Sequence, residues 1–180
     1  MTEKCFEERF RDVEENYKVI TNRIAEAAVR SGRKPEDITF LAATKTVPAE
    51  VINHAIGCGL RFIGENRVQE IQAKRPLGAY TGKPLHFIGH LQTNKVKYLV
   101  GVVDLIESVD RLELLECIEK QAEKVGVVQN ILFEVNIGAE ESKSGFTKEE
   151  AAARESMDAL WAQNVVTAAD GYPELTRICK

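Results

Sequence analysis

The sequence predicts an α/β fold in which parallel strands alternate with helices. Three observations predict it: short apolar runs recur along the chain, each is followed by a segment with helical periodicity, and the connections are short. Repeated strand–helix units form parallel sheets, because a helical crossover returns the chain to the same end of the sheet. Strands that are apolar throughout, such as Ile131-Leu132-Phe133, are expected where both faces of the sheet are covered.

A long amphipathic helix is predicted first, over residues 3 to about 31. Apolar residues recur every three or four positions and form a single stripe, beginning with Phe6, Phe10, Val13 and Tyr17. Ser31-Gly32 supplies the stop signal. We expect this stripe to pack the helix against the rest of the domain.

Five strands and five helices are predicted after this helix. The strands lie near 38–44, 60–63, 85–88, 103–107 and 130–136, and the helices near 48–58, 66–74, 94–100, 110–125 and 147–162. Asn66 and Asp110 occupy predicted N-cap positions, and Gly126 occupies a helix stop. The Gly- and Pro-rich stretch 76–84 is predicted to be an exposed connection.

Lys45 is the first candidate for chemistry. It ends the apolar run from Ile38 to Thr44 and precedes a helix-start signal at Pro48. Ligands of parallel α/β folds bind at the carboxyl ends of the strands. A lysine amine held beside an apolar strand loses solvation and becomes a nucleophile towards an aldehyde. The alternative interpretation is a solvated lysine in a strand-to-helix loop.

Five sequence blocks, in this order and spacing, add a family resemblance. The blocks are Thr44-Lys45-Thr46, Phe62 through Glu70, His86 through Lys95, Ile106 through Asp110, and Val135 through Phe146. Together they resemble the pyridoxal phosphate homeostasis proteins, which are also called proline synthetase co-transcribed homologues. The resemblance covers roughly residues 6 to 150. It implies a TIM-type (β/α) barrel of the alanine racemase N-terminal type, with pyridoxal 5'-phosphate (PLP) held as a Schiff base on Lys45.

Two asparagines are further candidates for cofactor binding. Asn66 follows the second predicted strand, and Asn136 follows the fully apolar fifth strand. The resemblance implies a pocket role for Asn66, but its position equally fits a helix N-cap. Asn136 could line the pocket in the same way or cap the next helix.

The predicted barrel is incomplete. A closed eight-stranded barrel takes about 250 residues, whereas this chain of 180 residues has five clear strands and a possible sixth at 164–168. From about residue 151 the chain departs from the family pattern, in which later strands carry the loops that hold the cofactor phosphate. We therefore expect one PLP-binding domain over 1–180, family-like over 6–150, with a truncated or divergent tail at 151–180.

Composition excludes several other classes of function. A net charge of −4 with scattered basic residues argues against nucleic-acid or anionic-membrane binding. The four cysteines are widely separated and form no metal-binding pair, which fits a reduced, cytoplasmic protein. His86 and His90 do not predict a metal site, because four residues along a strand span roughly 13 Å. No metal is therefore expected.

The function that the resemblance implies is cofactor handling. The chain would bind PLP through a Schiff base to Lys45 and regulate its supply to PLP-dependent apo-enzymes, without being an enzyme itself. One alternative is an amino-acid racemase-like PLP enzyme, which needs a second acid/base on the opposite face of the cofactor. The other is a non-functional fragment that lacks the phosphate-binding strands.

Overall fold

The computed structural model describes residues 3–138, 144–147 and 150, with side chains from Phe6 onward. These residues form two compact units. The first comprises the chain up to Glu65 together with Gln69–Leu85, and the second comprises Asn66–Val68 and the chain from His86 onward. The predicted sixth strand, the divergent tail and nearly all of the predicted helix over 147–162 lie outside the described residues.

The first unit contains two parallel strands and three helices. In chain order its elements are α1 (Glu3–Arg30), a 3₁₀ turn (Pro35–Asp37), β1 (Leu41–Ala43), α2 (Ala49–Gly57), β2 (Phe62–Glu65), α3 (Val68–Lys74) and a second 3₁₀ turn (Arg75–Leu77). Strand β1 pairs in parallel with β2, so that Leu41 lies opposite Phe62 and Ala43 opposite Gly64. The predicted strand–helix alternation is confirmed here, although β1 begins three residues later than the predicted strand.

The second unit continues the alternation. Its elements are β3 (Leu85–Phe87, with Leu85 in the first unit), a 3₁₀ helix (Thr93–Tyr98), β4 (Leu105–Val109), α4 (Leu112–Val125) and β5 (Asn130–Phe133). Strands β3, β4 and β5 pair in parallel and in chain order. Beyond β5, Val135 forms an isolated parallel bridge with Phe146. Within each unit, strands that are consecutive along the chain are neighbours, as in a (β/α) barrel wall.

The long N-terminal helix α1 confirms the prediction from apolar periodicity. Its aromatic side chains contact the first unit: the Phe10 ring stacks on His54 with centroids 4.2 Å apart, and Tyr17 lies 6.3 Å from Phe40. The helix ends at the predicted position, because Gly32 adopts a positive φ of 74°. Within the described part of the chain, no helix has both the length and the apolar character needed to cross a membrane.

Two predictions about local structure after β3 were wrong. The helix predicted over 94–100 is a 3₁₀ helix at Thr93–Tyr98. Val96 and Leu99 are three positions apart, a spacing that places side chains on one side in either helix type. The predicted N-cap at Asp110 is one residue early, because Arg111 is the N-cap of α4, and Asp110 instead pairs with Arg111 at 2.5 Å. The predicted stop at Gly126 is confirmed by its left-handed φ of 70°.

The core of the second unit lies between its strands and α4. Fully buried apolar side chains from both layers meet there: Phe87, Ile106, Leu114, Leu115 and Ile118. Burying a leucine side chain contributes about 1.5–3 kcal/mol through removal of its apolar surface from water. The buried apolar face of α4 therefore stabilises this unit by hydrophobic packing.

Leu114 and Leu112 test this packing on the same helix. Leu114 has no exposed surface, whereas Leu112 is 51% exposed. We expect Leu114→Ala to lower the free energy of unfolding by about 2–5 kcal/mol, because it leaves a cavity. Leu112→Ala should change it by less than about 1 kcal/mol. Urea unfolding followed by circular dichroism measures both, and equal costs would contradict the described position of α4.

Candidate cofactor lysine and its surroundings

Lys45 lies in a tight turn directly after β1. The Thr44 N–H continues the parallel ladder by donating to the Gly64 carbonyl at 2.8 Å, and the Val47 N–H donates to the Thr44 carbonyl at 3.0 Å. This second bond closes a four-residue turn with Lys45 at its second position. The structure thus places Lys45 at the carboxyl end of the strand, as predicted. Its side chain is exposed rather than held in an apolar environment, so the expected loss of solvation is not observed.

The turn contains an unusual backbone conformation at the residue after Lys45. Thr46, the third residue of the turn, has a φ of 63°. A type II turn requires a positive φ at this position, and glycine or asparagine normally occupies it. A β-branched residue pays about 1–3 kcal/mol for a left-handed conformation. The surrounding structure must therefore hold this turn in place.

A buried carboxylate lies below the turn. Glu65, the last residue of β2, is fully buried, and its Oε1 accepts three hydrogen bonds, from Thr44 Oγ1 at 2.8 Å, Lys74 Nζ at 2.9 Å and Tyr80 Oη at 2.9 Å. The Oε2 atom is also buried and has no partner among the described residues. A buried charge is tolerated only when it is paired and hydrogen-bonded, and Lys74 supplies the opposite charge.

Helix α3 contacts the turn on both sides of Lys45. Lys74 Nζ donates to the Thr44 carbonyl at 2.9 Å, and Glu70 Oε2 accepts from the Thr46 N–H at 3.2 Å. Glu70 and Lys74 also form an ion pair with each other at 2.5 Å. The two residues that flank Lys45 are therefore bonded to two ion-paired side chains one helical turn apart.

Tyr80 was missed by the sequence analysis. The stretch 76–84 was predicted to be exposed, but Ala79 and Tyr80 are buried, with exposed fractions of 7% and 6%. Burial raises the pKa of Tyr80 well above its usual range, and the neighbouring Glu65 carboxylate raises it further. Turn-forming glycines and prolines dominate this stretch, and no periodic pattern marks the tyrosine within it.

Asn66 does not act as the helix N-cap that was one of its two predicted roles. Helix α3 begins at Val68, so that Arg67 precedes it directly. The Asn66 Oδ1 atom is buried and has no partner among the described residues. A buried polar atom without a partner costs about 1–3 kcal/mol, so this side chain keeps unused capacity to accept a hydrogen bond. The capping role is therefore not observed, and the pocket role stays a prediction.

Gly89 approaches the backbone of Asn66 so closely that no side chain fits between them. A Cβ at this position would lie 2.1 Å from the Asn66 carbonyl oxygen. The Gly89 carbonyl in turn accepts from Ser108 Oγ at 2.5 Å, which fixes the loop after β3 to β4. Asn66 is thus held from below by backbone contact within the second unit.

The histidines pair with separate carboxylates rather than with one another. His86 Nδ1 lies 2.5 Å from Glu107, and His90 Nδ1 lies 3.2 Å from Asp110. Asn136 follows β5 by three residues, and its N–H donates to the Phe146 carbonyl at 2.9 Å.

One half-buried cluster in the first unit contains metal-ligand types. The side chains of Glu14, His54 and Cys58 have ligand atoms within 4.8 Å of one another. Tetrahedral zinc requires about 3.3–3.8 Å between such atoms, given its bond lengths. His54 is already paired with Glu14 at 3.0 Å and stacked on Phe10. Burial raises the pKa of the Cys58 thiol, and Glu14 raises it further, which disfavours the thiolate. In this structure the cluster is an ion pair and a ring stack at His54 beside a thiol that disfavours the thiolate form.

An open groove of about 560 Å³ lies in the second unit between the 3₁₀ helix and α4. Its walls carry both signs of charge, including Lys97, Lys120 and Glu116, and they contain none of the predicted cofactor-binding residues. The groove is therefore not used in building the candidate site.

The strand order, the helical crossovers and a lysine at the end of β1 define a parallel (β/α) barrel-type domain. The sequence model of the alanine racemase N-terminal domain matches residues 13–167, and the chain belongs to that family. It is 48% identical over 130 residues to the pyridoxal phosphate homeostasis protein of Aquifex aeolicus, covering 72% of this chain and 57% of that protein. It is 41% identical over 138 residues to the Escherichia coli protein of the same name, covering 74% and 58%.

A solved structure supports the same relationship. PipY of Synechococcus elongatus, with PLP bound, superposes with a TM-score of 0.63 at 31% identity, over 80% of this chain and 66% of that one. These comparisons confirm the predicted family and the alanine racemase-like fold. The chain spans somewhat less than three fifths of the length of the two named homeostasis proteins.

Gly89 and Gly57 provide a matched test of the contact below Asn66. A Cβ at Gly57, the last residue of α2, would meet nothing within 4 Å. We expect Gly57→Ala to leave stability unchanged or raise it by up to about 1 kcal/mol. Gly89→Ala should destabilise the protein by more than about 2 kcal/mol, because the backbone must shift. Thermal unfolding distinguishes them, and a tolerated Gly89→Ala would contradict the described contact.

Tyr80 is expected to make the free energy of unfolding fall as the pH rises above about 10. Because its pKa is raised in the folded state, the unfolded chain releases the phenol proton first, near pH 10. Its contribution to stability is therefore complete below that pH and is lost as the pH rises further. The slope reaches about 1.4 kcal/mol per pH unit.

Tyr80→Phe should reduce this alkaline slope, and Tyr98→Phe, at an exposed tyrosine, should not. Urea unfolding between pH 9 and about pH 11 measures the slope in each variant. Identical slopes for all three proteins would show that the Tyr80 hydroxyl is not buried against Glu65.

Proposed function

We propose that this chain binds PLP covalently through Lys45 and takes part in PLP homeostasis as a carrier rather than as an enzyme. The observation that carries the proposal is the position of Lys45, in a rigidly held turn at the carboxyl end of the first parallel strand. The cofactor supplies an aldehyde that condenses with a lysine amine and releases water. An exposed amine on a fixed backbone is accessible to that aldehyde.

The comparisons support the proposal from two directions. The relatives that are 48% and 41% identical are named for PLP homeostasis. PipY, at 31% identity, holds PLP in its structure. We transfer PLP binding to this chain as a proposal, because the chain covers only part of those proteins.

Asn66 and Asn136 stay predicted contacts of the cofactor. The unpartnered Asn66 oxygen supports a contact with a hydrogen-bond donor. The segment that the family uses for the phosphate falls outside the described residues, so the proposal concerns the aldehyde end of the cofactor. PLP-dependent apo-enzymes in the cytoplasm are the proposed recipients of the bound cofactor.

The described tyrosines favour a carrier over a racemase. Two-base racemisation requires a proton donor and acceptor opposite the lysine. Tyr80 is held neutral and donates a hydrogen bond to Glu65, and Tyr17 packs against Phe40. Tyr98 lies on the 3₁₀ helix of the second unit, where its ring contacts Lys95 and Lys97. Formation of D-alanine from L-alanine by the PLP-loaded protein, lost in Lys45→Ala, would overturn the carrier proposal.

Titration with PLP, borohydride reduction and peptide mapping test the role of Lys45. At one equivalent of PLP we expect a single reduced adduct on Lys45, and loss of that adduct and of the Schiff-base absorbance in Lys45→Arg. Arginine keeps the positive charge but is not a usable nucleophile. Lys120→Arg is the matched control, because the Lys120 side chain is 77% exposed and lies far along the chain on α4. Label spread evenly over many lysines would contradict the proposal.

A further inference from the structure

The turn that carries Lys45 is held by two side chains of α3 to which the sequence analysis gave no role of their own. We propose that Glu70 and Lys74 are positioning residues for Lys45, acting as a clamp that fixes the backbone on either side of the lysine. The clamp is defined here as these two residues with their bonds to Thr46 and Thr44. This inference rests on the proposed function of Lys45, but the clamp can also be tested without any cofactor.

The first argument is the strain in the turn. Thr46 has a φ of 63°, a conformation that an L-residue with a branched β-carbon avoids. Its N–H is available to the Glu70 carboxylate, at 3.2 Å, in the observed turn. A hydrogen bond to a charged acceptor is stronger than one between neutral groups, so it offsets part of the cost of the left-handed conformation. Glu70 can therefore select this turn over relaxed alternatives.

The second argument is the double use of the Thr44 carbonyl. This oxygen accepts both the Val47 N–H that closes the turn and the Lys74 ammonium. Lys74 is itself held by Glu65 and by Glu70, at 2.9 and 2.5 Å, and it is 8% exposed. A lysine with two carboxylate partners and little exposure has few alternative rotamers. The Thr44 carbonyl, which directly precedes Lys45, is thus hydrogen-bonded to a side chain that is itself held in place.

Together these bonds hold the backbone on both sides of Lys45, while its side chain is exposed. A nucleophile is most effective when its backbone is held and reaction does not have to order it. The clamp leaves the amine of Lys45 itself in solvent, so the cofactor aldehyde can reach it. In this geometry the side chains of α3 position the backbone around Lys45, and the Lys45 amine in the turn forms the bond to the cofactor aldehyde.

Glu70 offers graded variants for the test. Glu70→Gln keeps an oxygen that can accept the Thr46 N–H but removes the charge that pairs with Lys74. Glu70→Ala removes both interactions. Gln72→Ala is the matched control, because Gln72 is exposed on the same helix. Far-UV circular dichroism establishes that each variant is folded.

The first measurement uses the protein without PLP. Hydrogen–deuterium exchange of the peptide over residues 44–48 should be roughly tenfold faster in Glu70→Ala than in the wild type, since one hydrogen bond is lost. Glu70→Gln should lie between them, and Gln72→Ala should match the wild type. Exchange within twofold of the wild type in Glu70→Ala would overturn the clamp.

The second measurement uses PLP and borohydride, with mapping of the reduced adducts. We expect labelling of Lys45 at one equivalent of PLP to fall roughly five- to tenfold in Glu70→Ala and to recover partly in Glu70→Gln. Full labelling in a folded Glu70→Ala would overturn a positioning role. If Glu70→Ala does not fold, Glu70→Gln decides: wild-type exchange and wild-type labelling would both contradict the clamp.

The two proposals fail in different ways. If the wild type does not label at Lys45, the proposed function fails, while the exchange experiment still tests the clamp. If the wild type labels at Lys45 but the variants behave like the wild type in both measurements, the clamp fails and the proposed function stands.

Discussion

The first unit depends on one buried carboxylate. Glu65 is the last residue of β2 and has no exposed surface. One of its two carboxylate oxygens, Oε1, accepts hydrogen bonds from the end of β1, from α3 and from the loop that follows α3. Such a group would be strongly unfavourable alone, because a charge loses its hydration when it is buried. With its three donors in place it connects elements that are distant in sequence. The cost of burial makes the arrangement specific, since losing any partner leaves the charge less compensated.

Most of the fold could be predicted because the hydrophobic pattern repeats with clear periods. The stripe along α1 and the apolar strands identify their elements directly, and the glycines at 32 and 126 mark two helix ends. The 3₁₀ helix at Thr93–Tyr98 could not be told from an α-helix, because both bring positions three apart to one face. Boundaries such as the start of α4 at Leu112 depend on individual hydrogen bonds that the pattern does not encode.

The candidate site was only partly predictable. Lys45 and Asn66 stand at strand ends, which the sequence identifies, and the family resemblance gives Lys45 its proposed role. Tyr80 lies in a loop rich in glycine and proline, and Lys74 lies on a short helix. In the sequence each looks like an ordinary surface residue. Their burial follows from contact with Glu65, a tertiary interaction over nine and fifteen positions. No local signal in the sequence reports a partner at that distance.

The structure also changes the physical reason for treating Lys45 as a cofactor lysine. The sequence suggested activation by desolvation beside an apolar strand, but the side chain is exposed. What distinguishes Lys45 from other exposed lysines is its backbone: a strand end on one side and a left-handed threonine on the other, each hydrogen-bonded to α3. A carrier must release its cofactor as well as bind it. Hydrolysis of an imine needs water at the reacting carbon. An exposed lysine amine therefore suits reversible imine formation better than a deeply buried amine, from which water would be excluded.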